Sequence, residues 1–172
     1  RLQDNIIVKP SVEKQFDRFL RQGRVLFFSA PCGFGKTAVA EALLSSREVL
    51  RLSADSAGFK LPSAEADWQI LLLDDLQDMQ EEQDWNALCE LIRACPERRF
   101  VLLSRGTPPG SLMAFQYTGL MTVLEADDLL FDADDVRRLL RLYGVEAADS
   151  EIDGILKESV GYPLGVAITA RC

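Results

Sequence analysis

Between the apolar run Arg24 to Ala30 and an Ala- and Leu-rich stretch, Lys36 to Ser46, lies the octapeptide Ala30-Pro31-Cys32-Gly33-Phe34-Gly35-Lys36-Thr37. A near-continuous apolar run reads as a strand buried on both faces of a parallel sheet. The following stretch is rich in strong helix formers. A glycine-bearing turn between the two matches the Walker A pattern, with Ala30 in place of the first glycine. The residue types suit the chemistry. Gly33 and Gly35 let the backbone curl so that successive N–H groups point inward, an anion nest at a helix N-terminus. Lys36 supplies a point charge for β- and γ-phosphates, and the Thr37 hydroxyl a ligand for Mg²⁺. Ala38 follows in the first helical turn. Ala at position 30 is tolerable if its φ stays negative. Cys32 lies inside the nest, where N–H dipoles and Lys36 favour a thiolate; the simpler reading is a small residue that fits.

Further along, strands alternate with helices. Asn5 to Val8 is a short apolar stretch, after which Ser11 is expected to cap a helix with Val12, Phe16, Phe19 and Leu20 on one face and Gly23 at its end. A second strand is expected over Glu48 to Ser53, a third over Trp68 to Leu73, a fourth over Phe100 to Ser104 and a fifth over Leu120 to Leu124. The polar segment Ala54 to Ala66 shows no period. Trp85, Leu88, Cys89 and Ile92 recur at helical spacing. The pattern is that of an α/β layer around a parallel sheet of about five strands flanked by helices. From Asp132 onward only helices are expected. The division is therefore a core over residues 1–126 and an all-helical lid over 127–172, which reads as partial because Cys172 falls inside an apparent third helix opened by Pro163.

The third strand ends on two adjacent carboxylates, Asp74 and Asp75. If it lies near the first strand, Asp74 falls beside the metal shell of Thr37, and Asp75 is placed to orient or deprotonate a water. A turn with helix capping is the alternative. The fourth strand ends in Ser104-Arg105, and ligands of open α/β sheets gather at the carboxyl ends of strands. Arg105 is thus a candidate γ-phosphate sensor, or else a surface arginine flanking a strand. The acidic run Glu125 to Asp135 reads as solvated turns and helix N-terminal charge rather than a metal site.

Composition narrows the function classes. The 172 residues include no His, which excludes a His-centred triad, a His metal site and His general-base chemistry. The four cysteines show no C-x-x-C spacing, so a zinc ribbon is not expected and a reduced, cytoplasmic setting is. No apolar run approaches the length of a membrane span. The net charge is −8. Residues 1–60 carry ten Lys and Arg against six Asp and Glu, a net of +4, and residues 61–172 carry nine against 21, a net of −12. A chain with that balance is not expected to hold a nucleic-acid backbone itself, whereas its basic first third can face a small anion. The chain starts at Arg1 without Met or a signal sequence and reads as a piece of a longer protein.

In order, APCGFGKT, a shortened second unit, ILLLDD, FVLLSR, LEADDLLF and Gly161-Tyr162-Pro163 resemble the signal-transduction P-loop ATPases of the STAND class, and within it the nucleotide-binding module of the large MalT-like LuxR-type transcriptional regulators. The resemblance spans nearly the whole chain. Only Ala54 to Asp67 separates the second strand from the acid pair, where such modules carry a longer stretch with its own helix. The resemblance implies that Lys36 and Thr37 bind phosphate and Mg²⁺, that Asp74 and Asp75 serve the metal and the water, and that Arg105 reads the γ-phosphate. It further implies that Pro163 closes over adenine from the lid, with Ile7 and Val8 on the other side. Read without it, Gly-Tyr-Pro is an ordinary turn between helices. The implied function is an ATP/ADP switch, reset by slow hydrolysis, that reports to inducer-sensing and DNA-binding regions elsewhere, with self-association of the full-length protein. A small-molecule or nucleotide kinase is one alternative; it requires lid arginines, for which Arg137, Arg138 and Arg141 are available. A chaperone-like ring ATPase is a third reading, with no residue of the sequence assigned as its trans-acting arginine finger.

Overall fold

The computed structural model describes residues 6–159 and Gly161. The first helix, α1 (Pro10–Gln22), begins one residue before the expected cap: Lys9 is the N-cap and Pro10 takes the first turn. The fixed φ of proline suits that position, and its missing N–H costs no helical bond there. Gly23 ends the helix, its N–H donating to the Phe19 carbonyl. Then follow β1 (Val25–Ser29), α2 (Lys36–Leu43), β2 (Leu50–Ser53), β3 (Ile70–Asp74), α3 (Glu82–Ala94), β4 (Arg99–Ser104), α4 (Met113–Tyr117), β5 (Met121–Glu125), α5 (Ala126–Leu129), α6 (Ala133–Leu142) and α7 (Asp149–Ser159). The helix expected after Pro163 lies outside the described residues.

All strand pairs are parallel, in the order β2-β3-β4-β1-β5. Alternation along each strand divides the core. Val25, Phe27, Leu71, Leu73, Phe100 and Leu102 face α3, packing with Trp85, Leu88 and Ile92. Leu26, Phe28, Ile70, Leu72, Val101 and Leu103 face the other way, onto Val12, Phe16 and Phe19 of α1 and Val39 and Ala40 of α2. Two covered faces explain why the strands read as unbroken apolar runs. Arg24, expected within the first strand, precedes it and caps α3: its guanidinium donates to the Ile92, Cys95 and Arg98 carbonyls. A cation there complements the negative end of the helix dipole.

A third cluster joins α6 and α7, with Val136, Leu139, Leu140 and Ile152 around Ile7. Lys9 ties this layer to the core. Its ammonium donates to the Leu130 carbonyl at 2.6 Å and to Asp135 Oδ2 at 2.8 Å. Asp135 is 2% exposed, and it also takes the Asp132 N–H while Asp132 takes its own, a reciprocal cap on α6. Much of the acidic run is therefore helix capping, as Glu125 and Asp128 also form a capping box on α5. The Phe131 N–H donates to the Gly161 carbonyl at 2.8 Å.

Candidate functional site

The register sets which residues meet. Ser29 pairs with both Ser104 and Glu125, and Ser53 with Asp74, so the carboxyl ends of all five strands share one edge. Asp74 and the loop after β1 come from strands that are not neighbours, since β4 lies between them. The end of β4, Ser104-Arg105, therefore stands between the glycine loop and the acid pair.

Gly33 and Gly35 have φ of 94° and 70°. A Cβ at either would meet nothing within 4 Å, so it is the backbone angle and not crowding that calls for glycine. Gly35 is the N-cap of α2 and offers no side chain to its first N–H groups. Those donors and the positive end of the helix dipole favour an anion. Ala30 does not have a positive φ and is buried against the α1–α2 side of the core, which explains why alanine replaces glycine there. Phe34 is likewise buried in that cluster.

Lys36 donates to the carbonyls of Ala30 and Pro31. Burial pushes its ammonium below the ordinary lysine value, and Arg105 adds to that, while Cys32, Asp74 and Asp75 pull it up. The Thr37 hydroxyl donates to Asp74 Oδ2 at 3.0 Å. That separation fits an octahedral Mg²⁺, because two adjacent oxygens about 2.1 Å from the ion lie about 3 Å apart. No group of three or more acidic or thiol side chains able to hold a metal occurs among the described residues. An ion here would therefore rest on Thr37 and Asp74 and complete its shell with phosphate and water, the usual habit of Mg²⁺.

Asp75 is the one non-glycine residue with positive φ among those described, at 57°. Its N–H donates to Asp74 Oδ1 at 2.7 Å. Its Oδ2 accepts the Ser53 hydroxyl at 2.7 Å and its Oδ1 the Gln77 amide at 3.3 Å. Asp74 and Asp75 thus diverge, one toward Thr37 and the other toward β2.

A cavity of about 320 Å³ is lined by Cys32, Gly33, Gly35, Lys36, Thr37, Ala38, Asp74, Asp75, Gln77 and Arg105. Nine of these ten are sequence candidates. Ala30, Pro31 and Phe34 belong to the loop without lining the cavity. Neither Ile7 nor Val8 lines it: Ile7 is buried among the α6–α7 residues, and Val8 packs against the α1–α2 side of the core. Pro163 lies outside the described residues. Sequence reasoning missed Gln77, which no spacing rule selects, and Ser53, whose position at a strand end was the one available signal.

No family model matches the chain, and no curated protein matches it. Solved structures do. The Holliday junction branch migration motor RuvB of Thermotoga maritima superposes with a TM-score of 0.64 at 18% identity, over 96% of this chain and 61% of that one. The replication initiator DnaA, bound to AMPPCP and single-stranded DNA, gives 0.64 at 17%, over 98% and 63%. A Walker-type ATPase of Pyrococcus abyssi gives 0.65 at 12%, over 97% and 67%. The chain spans about three fifths of the length of the RuvB chain. With its five-stranded parallel sheet, its flanking helices and its glycine loop between β1 and α2, the chain has the α/β fold of the P-loop NTPases.

Proposed function

We propose that the chain is an ATP/ADP-binding, Mg²⁺-dependent switch module with a core over residues 1–126 and a partial helical lid over 127–172, serving a signal-responsive transcriptional regulator of the STAND class. One observation carries the nucleotide part: the Thr37 and Asp74 oxygens, 3.0 Å apart, stand at the mouth of the glycine loop beside the Lys36 ammonium. In this reading the N–H groups of Gly33 to Thr37 cradle the diphosphate. Lys36 exchanges the Ala30 and Pro31 carbonyls for phosphate oxygens. Thr37 and Asp74 would hold Mg²⁺, which would supply positive charge to the phosphates; Asp75 orients the attacking water, and Arg105 faces the terminal phosphate.

The regulatory part is supported by the resemblance of the ordered motifs and by the lid contacts. Lys9, Asp135 and Leu130 join lid to core, so a nucleotide that also touched the lid would bias its position. Inducer and DNA would be engaged by other parts of a longer protein, and self-association would belong to that whole. The kinase reading asks for lid arginines at the cavity. Arg137 instead pairs with Asp134 and Asp149, Arg138 donates to the Val8 carbonyl, and none of Arg137, Arg138 and Arg141 lines the cavity.

Calorimetry with ADP and ATP, each with Mg²⁺, tests the proposal against Lys36→Ala. Loss of the charged donor is expected to weaken binding by about tenfold or more. A folded parent chain that binds neither nucleotide ends it.

A further inference from the structure

Resting on that reading, we propose that Gln77 is a positioning residue that ties the Asp75 carboxylate to the tip of β4, making the acid responsive to whatever Arg105 meets. Gln77 sits in the short 3-10 turn Leu76–Asp78, which directly follows Asp75. The turn is anchored by Leu76, which is fully buried, and by the Asp78 and Met79 N–H groups donating to the Asp75 and Leu76 carbonyls. From this footing the Gln77 side chain bridges two strand ends. Its Nε2 donates to Asp75 Oδ1 at 3.3 Å, and its Oε1 accepts the Arg105 backbone N–H at 3.2 Å.

The two partners fix the amide's orientation. Reversing it would set the amide oxygen against a carboxylate and the NH₂ against an N–H, so only one of its two placements makes both bonds. Glu at 77 can accept from Arg105 but cannot donate to Asp75. Met, of similar length, can do neither. The Arg105 guanidinium is exposed and forms no ion pair among the described residues, so an anion in the cavity can draw it. Its backbone N–H is the atom Gln77 holds. A shift at the tip of β4 thus reaches Asp75 through one planar group, whereas the Ser53 hydroxyl holds the other oxygen from β2, away from that tip.

Three measurements on the parent chain, Gln77→Met and Gln77→Glu test this. Amide hydrogen exchange at Arg105 reads the tether without nucleotide: it should quicken about tenfold in Gln77→Met and stay near the parent rate in Gln77→Glu. Single-turnover ATP hydrolysis should fall about tenfold to a hundredfold in both variants, since each loses the donor to Asp75. Calorimetric Mg²⁺-ADP affinity should change by no more than about twofold, because the diphosphate is held by the glycine loop. Unchanged Arg105 exchange in Gln77→Met, or parent-like hydrolysis in either variant, overturns the proposal. So does a parallel loss of ADP affinity and melting temperature, which marks a merely structural role. A parent chain that binds Mg²⁺-ATP but never turns it over removes the role given to Asp75, and this inference with it, while nucleotide binding stands. A parent that binds no nucleotide overturns the proposed function itself.

Discussion

Thr37 and Asp74 illustrate what single residues contribute. They stand 37 positions apart, on α2 and β3, yet their oxygens meet at 3.0 Å although β4 separates β3 from the strand that leads into α2. A hydroxyl and a carboxylate so placed can act on one ion together, and their effects should not add. Thr37→Val and Asp74→Asn are each expected to cut the gain in ATP affinity produced by Mg²⁺ by about tenfold, and the double variant by little more than either alone. Titrations with Mg²⁺ and with a chelator read this directly; full additivity would mean that the two residues do not share a ligand. The sequence displayed both residues plainly, because each belongs to a motif with a physical reason for its spacing. It assigned no role to Gln77, which enters only as the last residue of LLLDDLQ, the acid-pair stretch of the resemblance, and none to Lys9. Gln77 works through partners on two strand ends, and Lys9 through Asp135, 126 positions away, so neither leaves a local pattern.

Elements were legible where one interaction dominates them. The apolar strands and the amphipathic stripe of α3 follow from burial alone, and they appear within a few residues of where periodicity puts them. Their ends were less so. Ser11 has the chemistry of a cap, but Pro10 fixes the first helical φ and displaces the start to Lys9. At the start of α6 the cap is two carboxylates, and it should respond to acid. The Asp135 N–H holds the Asp132 carboxyl below the ordinary aspartate value, with burial opposing and the Lys9 charge adding to the effect. A depressed folded value means that the stabilisation is complete above the unfolded value, near pH 4, and is lost as pH falls through the folded one. Helix α6 should therefore loosen below about pH 4. In Asp132→Asn, which keeps an acceptor without the titrating charge, that acid dependence should be flatter. Amide shifts of α6 followed from about pH 5 downward, through and below the ordinary aspartate range, would show it. Equal acid sensitivity in both chains would count against the cap.

At the scale of the molecule, two bodies of packing meet through a few polar contacts. The sheet clusters hold the strands, while Ile7 and the α6–α7 residues form their own cluster. Lys9 lies at the seam, and its partner Asp135 is nearly inaccessible, with its side chain 3% exposed. Removing the cation takes away the nearer partner of a buried carboxylate and leaves it only the Arg138 guanidinium, 3.9 Å from its other oxygen, a change that costs up to about 3 kcal/mol. Lys9→Met is expected to speed amide exchange across α6 and α7 by about a hundredfold while leaving β1 to β5 near the parent rate. Uniform acceleration through the sheet would show that the seam is no boundary.

Strand order was the least legible property of the whole, since no residue pattern announces which strand inserts where. It also sets a timetable. β1 touches neither β2 nor β3; its two neighbours, β4 and β5, are both encoded after them. On a ribosome the glycine loop emerges early, attached to a strand with an unpaired edge on each side, and it gains its scaffold only when residues 99–125 have followed. The strand that leads into the part of the molecule that sequence identifies first is thus the one whose sheet partners are synthesised last, and until they arrive both of its apolar edges stay open to other strands.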